Sequence, residues 1–177
     1  MEKLAPYELQ NRISLLKEVK IFSDAGDEIL AEIAENLNEQ VLEPNETLFH
    51  KGDNLHALFI IVNGLVKVHD GDYVFTELHN RNFFGEYSLI DSTSRSASIS
   101  AIEKTRLLKL DQEIFNKLSD KYPAINKAIL RAMIKRLRNN NILEERLTRI
   151  SKEIERQKDE IDRSEEHTSE LQSPNTI

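Results

Sequence analysis

The residues with most chemistry to offer lie between Phe83 and Ala101, in the stretch FFGEYSLIDSTSRSASISA. Gly85 permits a close backbone turn. Ser88, Ser92, Thr93, Ser94 and Ser96 are small hydroxyls, with backbone N–H groups left accessible between them, and Arg95 is the one arginine inside this neutral polar loop. Clustered N–H donors, hydroxyls and one fixed guanidinium suit a single phosphate. Glu86 lies close by, and a carboxylate is a natural acceptor for ribose hydroxyls. An acid for a sugar and an arginine for a phosphate together point to a nucleotide. By residue type alone two plainer readings stay open: Arg95 as a surface arginine in an ion pair, and Glu86 as a solvated loop carboxylate.

The remaining polar residues offer less. His50, His56, His69 and His79 have no ligand-like spacing, so no metal site is expected. No catalytic triad, phosphate-binding Walker loop or paired-carboxylate arrangement is present, and no enzymatic activity is expected of these residues. The chain has no cysteine, which excludes disulfides, thiol catalysis and Cys-ligated zinc or iron–sulfur clusters.

The elements that must position Glu86 and Arg95 are legible as patterns. Leu9, Ile13 and Leu16 fit an amphipathic helix over about Glu8 to Val19. A break at Asp24 to Asp27 precedes a second helix, Asp27 to Leu37, marked by Ile29, Leu30, Ile33, Ala34 and Leu37. From Gln40 the chain turns to short segments bounded by turn residues. Strand-like runs are Thr47 to Phe49, Leu58 to Val62, Leu65 to Val68, Tyr73 to Leu78, Ser96 to Ile102 and Leu107 to Leu110. Asn63-Gly64 and Asp70-Gly71 read as hairpins. Short strands closed in this way predict a small barrel, sandwich or roll. Gln112 to Leu118 is a further helix. A long helix then follows Pro123, from about Ala124 to Ile161. In it Leu143, Leu147, Ile150, Ile154, Gln157 and Ile161 step by alternating fours and threes, a short heptad seam that predicts a dimeric coiled coil.

The 177 residues suffice for one core plus extra helix, with 39% hydrophobic and 31% charged residues. The longest apolar run, Ala57 to Val62, is far short of the roughly 20 residues that cross a bilayer. No signal peptide opens the chain, so a cytoplasmic location and no membrane partner are expected. A net charge of −7 argues against broad nucleic-acid binding. Arg163 to Ser173, RSEEHTSELQS, breaks from the heptads and is similar to the in-frame translation of a sequencing-adapter oligonucleotide. Residues 163–177 are therefore read as read-through sequence, with an effector region expected beyond about Asp162.

The stretch from Phe84 resembles the phosphate-binding cassette of the cyclic-nucleotide-binding domain family, which includes regulatory subunits of cAMP-dependent protein kinase and the bacterial catabolite activator protein. Phe84-Gly85-Glu86, Ser88-Leu89, Arg95-Ser96-Ala97 and the run to Ala101 carry the likeness, supported by Lys51-Gly52-Asp53 and Val62-Asn63-Gly64, over about residues 15 to 143. Ser94 stands where many cassettes have Pro, and Asn82 where Gly or Asp is common. The resemblance implies an α+β fold: a jelly-roll-like β-roll flanked by N-terminal helices and a long C-terminal helix or coiled coil. It divides the chain into an N-terminal helix (1–22), the β-roll (23–120), a lid helix continuing as coiled coil (121–162) and the tail. The ligand would be cAMP, or cGMP, with no cofactor. Glu86 would accept from the ribose 2′-hydroxyl and Arg95 would pair with the cyclic phosphate, with Gly85, Tyr87, Ser88, Ser96 and Ala97 around them. Arg136 would lie near Glu86, and Asn140 (or Asn141) near the purine edge. Ser96 leans to adenine without deciding against guanine. The implied function is a bacterial regulatory sensor that signals through its C-terminal helix, as a homodimer. Two alternatives stay open: a truncated transcription regulator like the catabolite activator, and a ligand-free interaction domain.

Overall fold

A computed structural model describes residues 5–23, 25–131, 133–135, 137–138, 148–152 and 154–158. The chain forms two compact units, residues 1–132 and 133–177. In the first, eight antiparallel strands make two four-stranded sheets. One sheet has the order β1 (Asn38–Leu42), β8 (Thr105–Asp111), β3 (Ala57–Asn63), β6 (Phe83–Phe84). The other has β2 (Thr47–Phe49), β7 (Ser98–Ala101), β4 (Leu65–Asp70), β5 (Tyr73–His79). Four helices accompany them: α1 (Pro6–Glu18), α2 (Asp27–Glu35), α3 (Glu86–Asp91) and α4 (Gln112–Lys121), with further helical turns at 124–131.

The roll closes around apolar side chains of alternating strand positions, as period-2 geometry requires. Ala57, Phe59 and Ile61 of β3 join Leu42, Phe49, Val66, Phe84, Ile99, Ala101 and Leu107 in one buried cluster. The intervening Leu58 and Ile60 point the other way. They pair in register with Leu110 and Leu108 of β8, and all four are buried. α3 is in contact with β3 and α4 with β8. Burial on both faces explains why β3 reads as a continuous apolar run rather than an alternating one.

The N-terminal helices form for local reasons. Pro6 occupies the first turn of α1, where its missing N–H costs nothing. Asp27 and Glu28 sit in the first turn of α2, favourably to its dipole. Arg12 of α1 donates through Nη1 to the carbonyl oxygens of Leu37 (2.6 Å) and Ala34 (3.1 Å), which satisfies the open end of α2. At the end of α4, Lys121 Nζ and Tyr122 Oη both donate to Glu32 Oε2 of α2, each at 2.7 Å.

Four expectations change. Asn63-Gly64 is not a hairpin: β3 pairs with β6 and β8, while β4 pairs with β5 and β7, so this turn carries the chain from one sheet to the other. Gly64 is needed there because a Cβ would lie 2.6 Å from Thr105 Cα, at a φ of +118°. Asp70-Gly71 does close a hairpin, with Asp70 paired to Tyr73. Ser96 and Ala97 precede the last-but-one strand, which begins at Ser98, and β1 and β6 were not anticipated. The segment after Gly85, read as loop, begins with the short helix α3. In the second unit residues 133–135, 137–138, 148–152 and 154–158 are helical, and Ile150 and Ile154 are 55% and 60% exposed.

Candidate functional site

The site is built where β6 ends. Phe83 and Phe84 are held on β3 by pairing with Ile60 and Phe59, and the Phe84 ring stacks on Phe59 at 5.3 Å. Gly85 then turns the chain in the left-handed region, φ +87°. No side chain fits there: a Cβ would lie 2.5 Å from both the Ala57 carbonyl oxygen and Arg95 Nη1. α3 follows at once and ends at Ser92, itself left-handed with φ +57°.

The return segment is pinned to the turn after β2. Arg95 N donates to the Asp53 carbonyl oxygen at 2.9 Å, Gly52 N donates to the Arg95 carbonyl oxygen at 2.8 Å, and Lys51 N donates to Ser98 Oγ at 3.0 Å. This pairing directs the Arg95 side chain inward, and the residue is only 4% exposed. Its guanidinium lies 4.2 Å from the Phe49 ring centroid and 5.7 Å from that of Phe59, in cation–π geometry. Nη1 donates to Ser88 Oγ (2.7 Å) and at longer range to the Gly85 carbonyl oxygen (3.4 Å). Nη2 donates to the Ala57 carbonyl oxygen (2.8 Å). Nε is buried and has no hydrogen-bond partner.

Burial pushes the Arg95 guanidinium down to about 10, against the opposing pull of the Glu86 and Asp53 carboxylates. The group stays a cation at neutral pH, and its burial works against that charge. An enclosed cation with one unpartnered donor, packed on an aromatic floor beside neutral oxygens, has the chemistry to attract an anion.

Of the residues singled out by sequence, Gly85, Glu86, Ser88 and Arg95 come together. Glu86 is 2% exposed at the first position of α3, and Ser88 is buried two residues later, where its Oγ also donates to the Gly85 carbonyl oxygen at 3.2 Å. The plainer readings, a surface Arg95 and a solvated Glu86, do not hold. Tyr87 is 45% exposed. Ser96 is exposed and Ala97 half-buried, both beside Arg95 on the return segment. Arg136, Asn140 and Asn141 lie outside the described residues. Sequence reasoning missed the aromatic floor of Phe49 and Phe59, and the part played by Asp53. It also missed Gln112, whose Nε2 donates into the end of α3, to Ser92 Oγ at 2.8 Å and the Leu89 carbonyl oxygen at 3.0 Å. Phe49 and Phe59 carried only the signal of apolar strand residues, and Gln112 only that of a polar helix start.

Comparison with known proteins converges on one family. Residues 39–122 match the family model for the cyclic nucleotide-binding domain. A cyclic nucleotide-gated potassium channel of Rhizobium etli is 34% identical over 122 residues, 69% of this chain and 34% of the channel. Among solved structures, the N-terminal domain of a transcriptional regulator from Streptomyces coelicolor A3(2) superimposes with a TM-score of 0.63 at 30% identity, over 72% of this chain and 92% of that one. The regulatory domain of Toxoplasma gondii PKA, crystallised with cAMP, superimposes with a TM-score of 0.61 at 20% identity, over 66% of this chain and 46% of that one. The chain spans about a fifth to a third of the length of such curated relatives.

Proposed function

The chain belongs to the cyclic nucleotide-binding domain family, and from that premise we propose that it is a sensor in which Arg95 and Ser88 receive the cyclic phosphate and Glu86 the ribose hydroxyl of cAMP. The observation that carries this reading is Arg95: buried, aromatic-backed, and with Nε unpartnered. A cyclic phosphate would supply the missing acceptor and offset the buried charge, which a neutral ligand could not do. Glu86 beside it favours a sugar over inorganic phosphate, since a bare phosphate would meet only repulsion from that carboxylate. Ser96, exposed beside the arginine, is a small hydroxyl that suits the adenine nucleotide without excluding cGMP.

The output is proposed to pass through the C-terminal helix to an effector, as a homodimer held by the heptad seam. Likeness both to the N-terminal domain of a transcriptional regulator and to a gated channel supports a module separable from the activity it controls. The ligand would act only through its different affinity for two positions of that helix.

The test is thermal unfolding of the whole chain with cAMP, with cGMP and without either, for wild type and Arg95→Met. At about 100 times Kd, linkage gives roughly 2.7 kcal/mol, or about 5–10 °C. We expect that shift with cAMP, a smaller one with cGMP and none in Arg95→Met. The ligand-free variant should melt close to wild type, because the relieved burial of charge offsets the lost hydrogen bonds. A wild type that melts cooperatively but ignores both nucleotides would defeat the reading.

A further inference from the structure

We propose that Gln112 is a positioning residue for the anion-binding segment: its amide holds the C-terminal end of α3, and through it Ser88 and Arg95, in the receptive geometry. The inference rests on the proposed nucleotide reading of that segment and names a residue outside it.

α3 has only six residues, too few to be stable by itself, and its last carbonyl oxygens have no intrahelical donor. Gln112 stands at the first position of α4 and supplies that donor. Its Nε2 lies 2.8 Å from Ser92 Oγ, 3.0 Å from the Leu89 carbonyl oxygen and 3.4 Å from the Ser88 carbonyl oxygen. An amide nitrogen has two hydrogens, so the first two are the principal bonds and the third a weaker contact. The Gln112 backbone is fixed in turn, since its N–H donates to the His56 carbonyl oxygen at 3.1 Å, just before β3. Ser88 is thus gripped on both sides: its backbone lies within the span that Gln112 holds, and its Oγ receives Arg95 Nη1 at 2.7 Å. Removing the donor would leave the last turn of α3 uncapped and free to unwind, and Ser88 would drift from the guanidinium.

Two substitutions separate hydrogen bonding from packing. Gln112→Met keeps length and neutrality but has no donor, whereas Gln112→Arg keeps donors. Both are compared with wild type in the full chain by titration with cAMP and cGMP, and by amide hydrogen exchange over residues 88–92 without ligand. We expect Gln112→Met to bind about tenfold more weakly, within the range of one or two lost hydrogen bonds, and to exchange faster over 88–92, with its melting temperature little changed. Gln112→Arg should recover most of both losses. Exchange over 88–92 that is unchanged in Gln112→Met would overturn the assignment. So would an equal loss in both variants, which would mark Gln112 as a packing residue. Exchange is read without ligand, so it still decides the role of Gln112 if wild type binds neither nucleotide, a result that would instead sink the nucleotide reading.

Discussion

At the residue scale the site depends on one position without a side chain and one buried cation. Gly85 brings the Ala57 carbonyl oxygen and Arg95 together in space that a methyl group would occupy. Gly85→Ala should therefore lose the nucleotide response and also destabilise the fold. The left-handed φ and the clash with a backbone oxygen would together cost about 1–3 kcal/mol. Urea unfolding and nucleotide titration of the purified variant check both effects. A variant that kept wild-type stability and binding would show that β6 and α3 tolerate a different path. Glu86, Ser88 and Arg95 pointed to a nucleotide by residue type, but a surface Arg95 and a solvated Glu86 stayed open until the resemblance to the cassette gave them roles. Their burial was not legible, because it is imposed by Phe49, Phe59 and the Asp53 turn, all distant in sequence.

At the element scale the joints decide more than the elements. Glu32 of α2 accepts from Lys121 and Tyr122 at the end of α4, and these hydrogen bonds hold its carboxyl below the usual carboxylate range. The same bond to Glu32 raises Tyr122, and Lys121 is raised as well. A carboxyl lowered on folding contributes stability that is complete above about pH 4.5, where the unfolded group ionises, and that is lost as pH falls through the folded value. A raised tyrosine contributes stability that is complete below about pH 10 and lost as pH climbs through its folded value. Glu32→Gln should accordingly melt below wild type at neutral pH and converge on it in acid. Melting curves from pH 3 to 8 check this, and a constant gap across that range would mean that charge plays no part. Apart from α3, the helices and most strands were readable from apolar spacing, whereas the sheet change at Gly64 was not, because Asn-Gly signals a tight turn whichever strands it joins.

At the scale of the whole molecule, the roll and the C-terminal helical residues are separate units, and the second leaves Ile150 and Ile154 open to solvent on one helix face. Residues four apart on a helix are neighbours, and exposed isoleucines at that spacing fit the seam of a two-stranded coil. If that seam joins two copies, the chain should sediment as a dimer and the double variant Ile150→Glu, Ile154→Glu as a monomer that still binds nucleotide. A monomeric wild type at tens of micromolar would remove the dimer from the proposal.

Local pattern determined a small barrel, sandwich or roll, the helices before it, the helix from Gln112 and most of its strands, and the resemblance of the cassette singled out Glu86, Ser88 and Arg95. Those features rest on local period, turn chemistry and residue type, which are properties of neighbouring residues. Only the tertiary structure decided that β3 is covered on both faces, that Arg95 lies on Phe49 with one donor to spare, and that Gln112 reaches back to cap α3. Each of these depends on a contact between residues far apart along the chain, which no local pattern encodes.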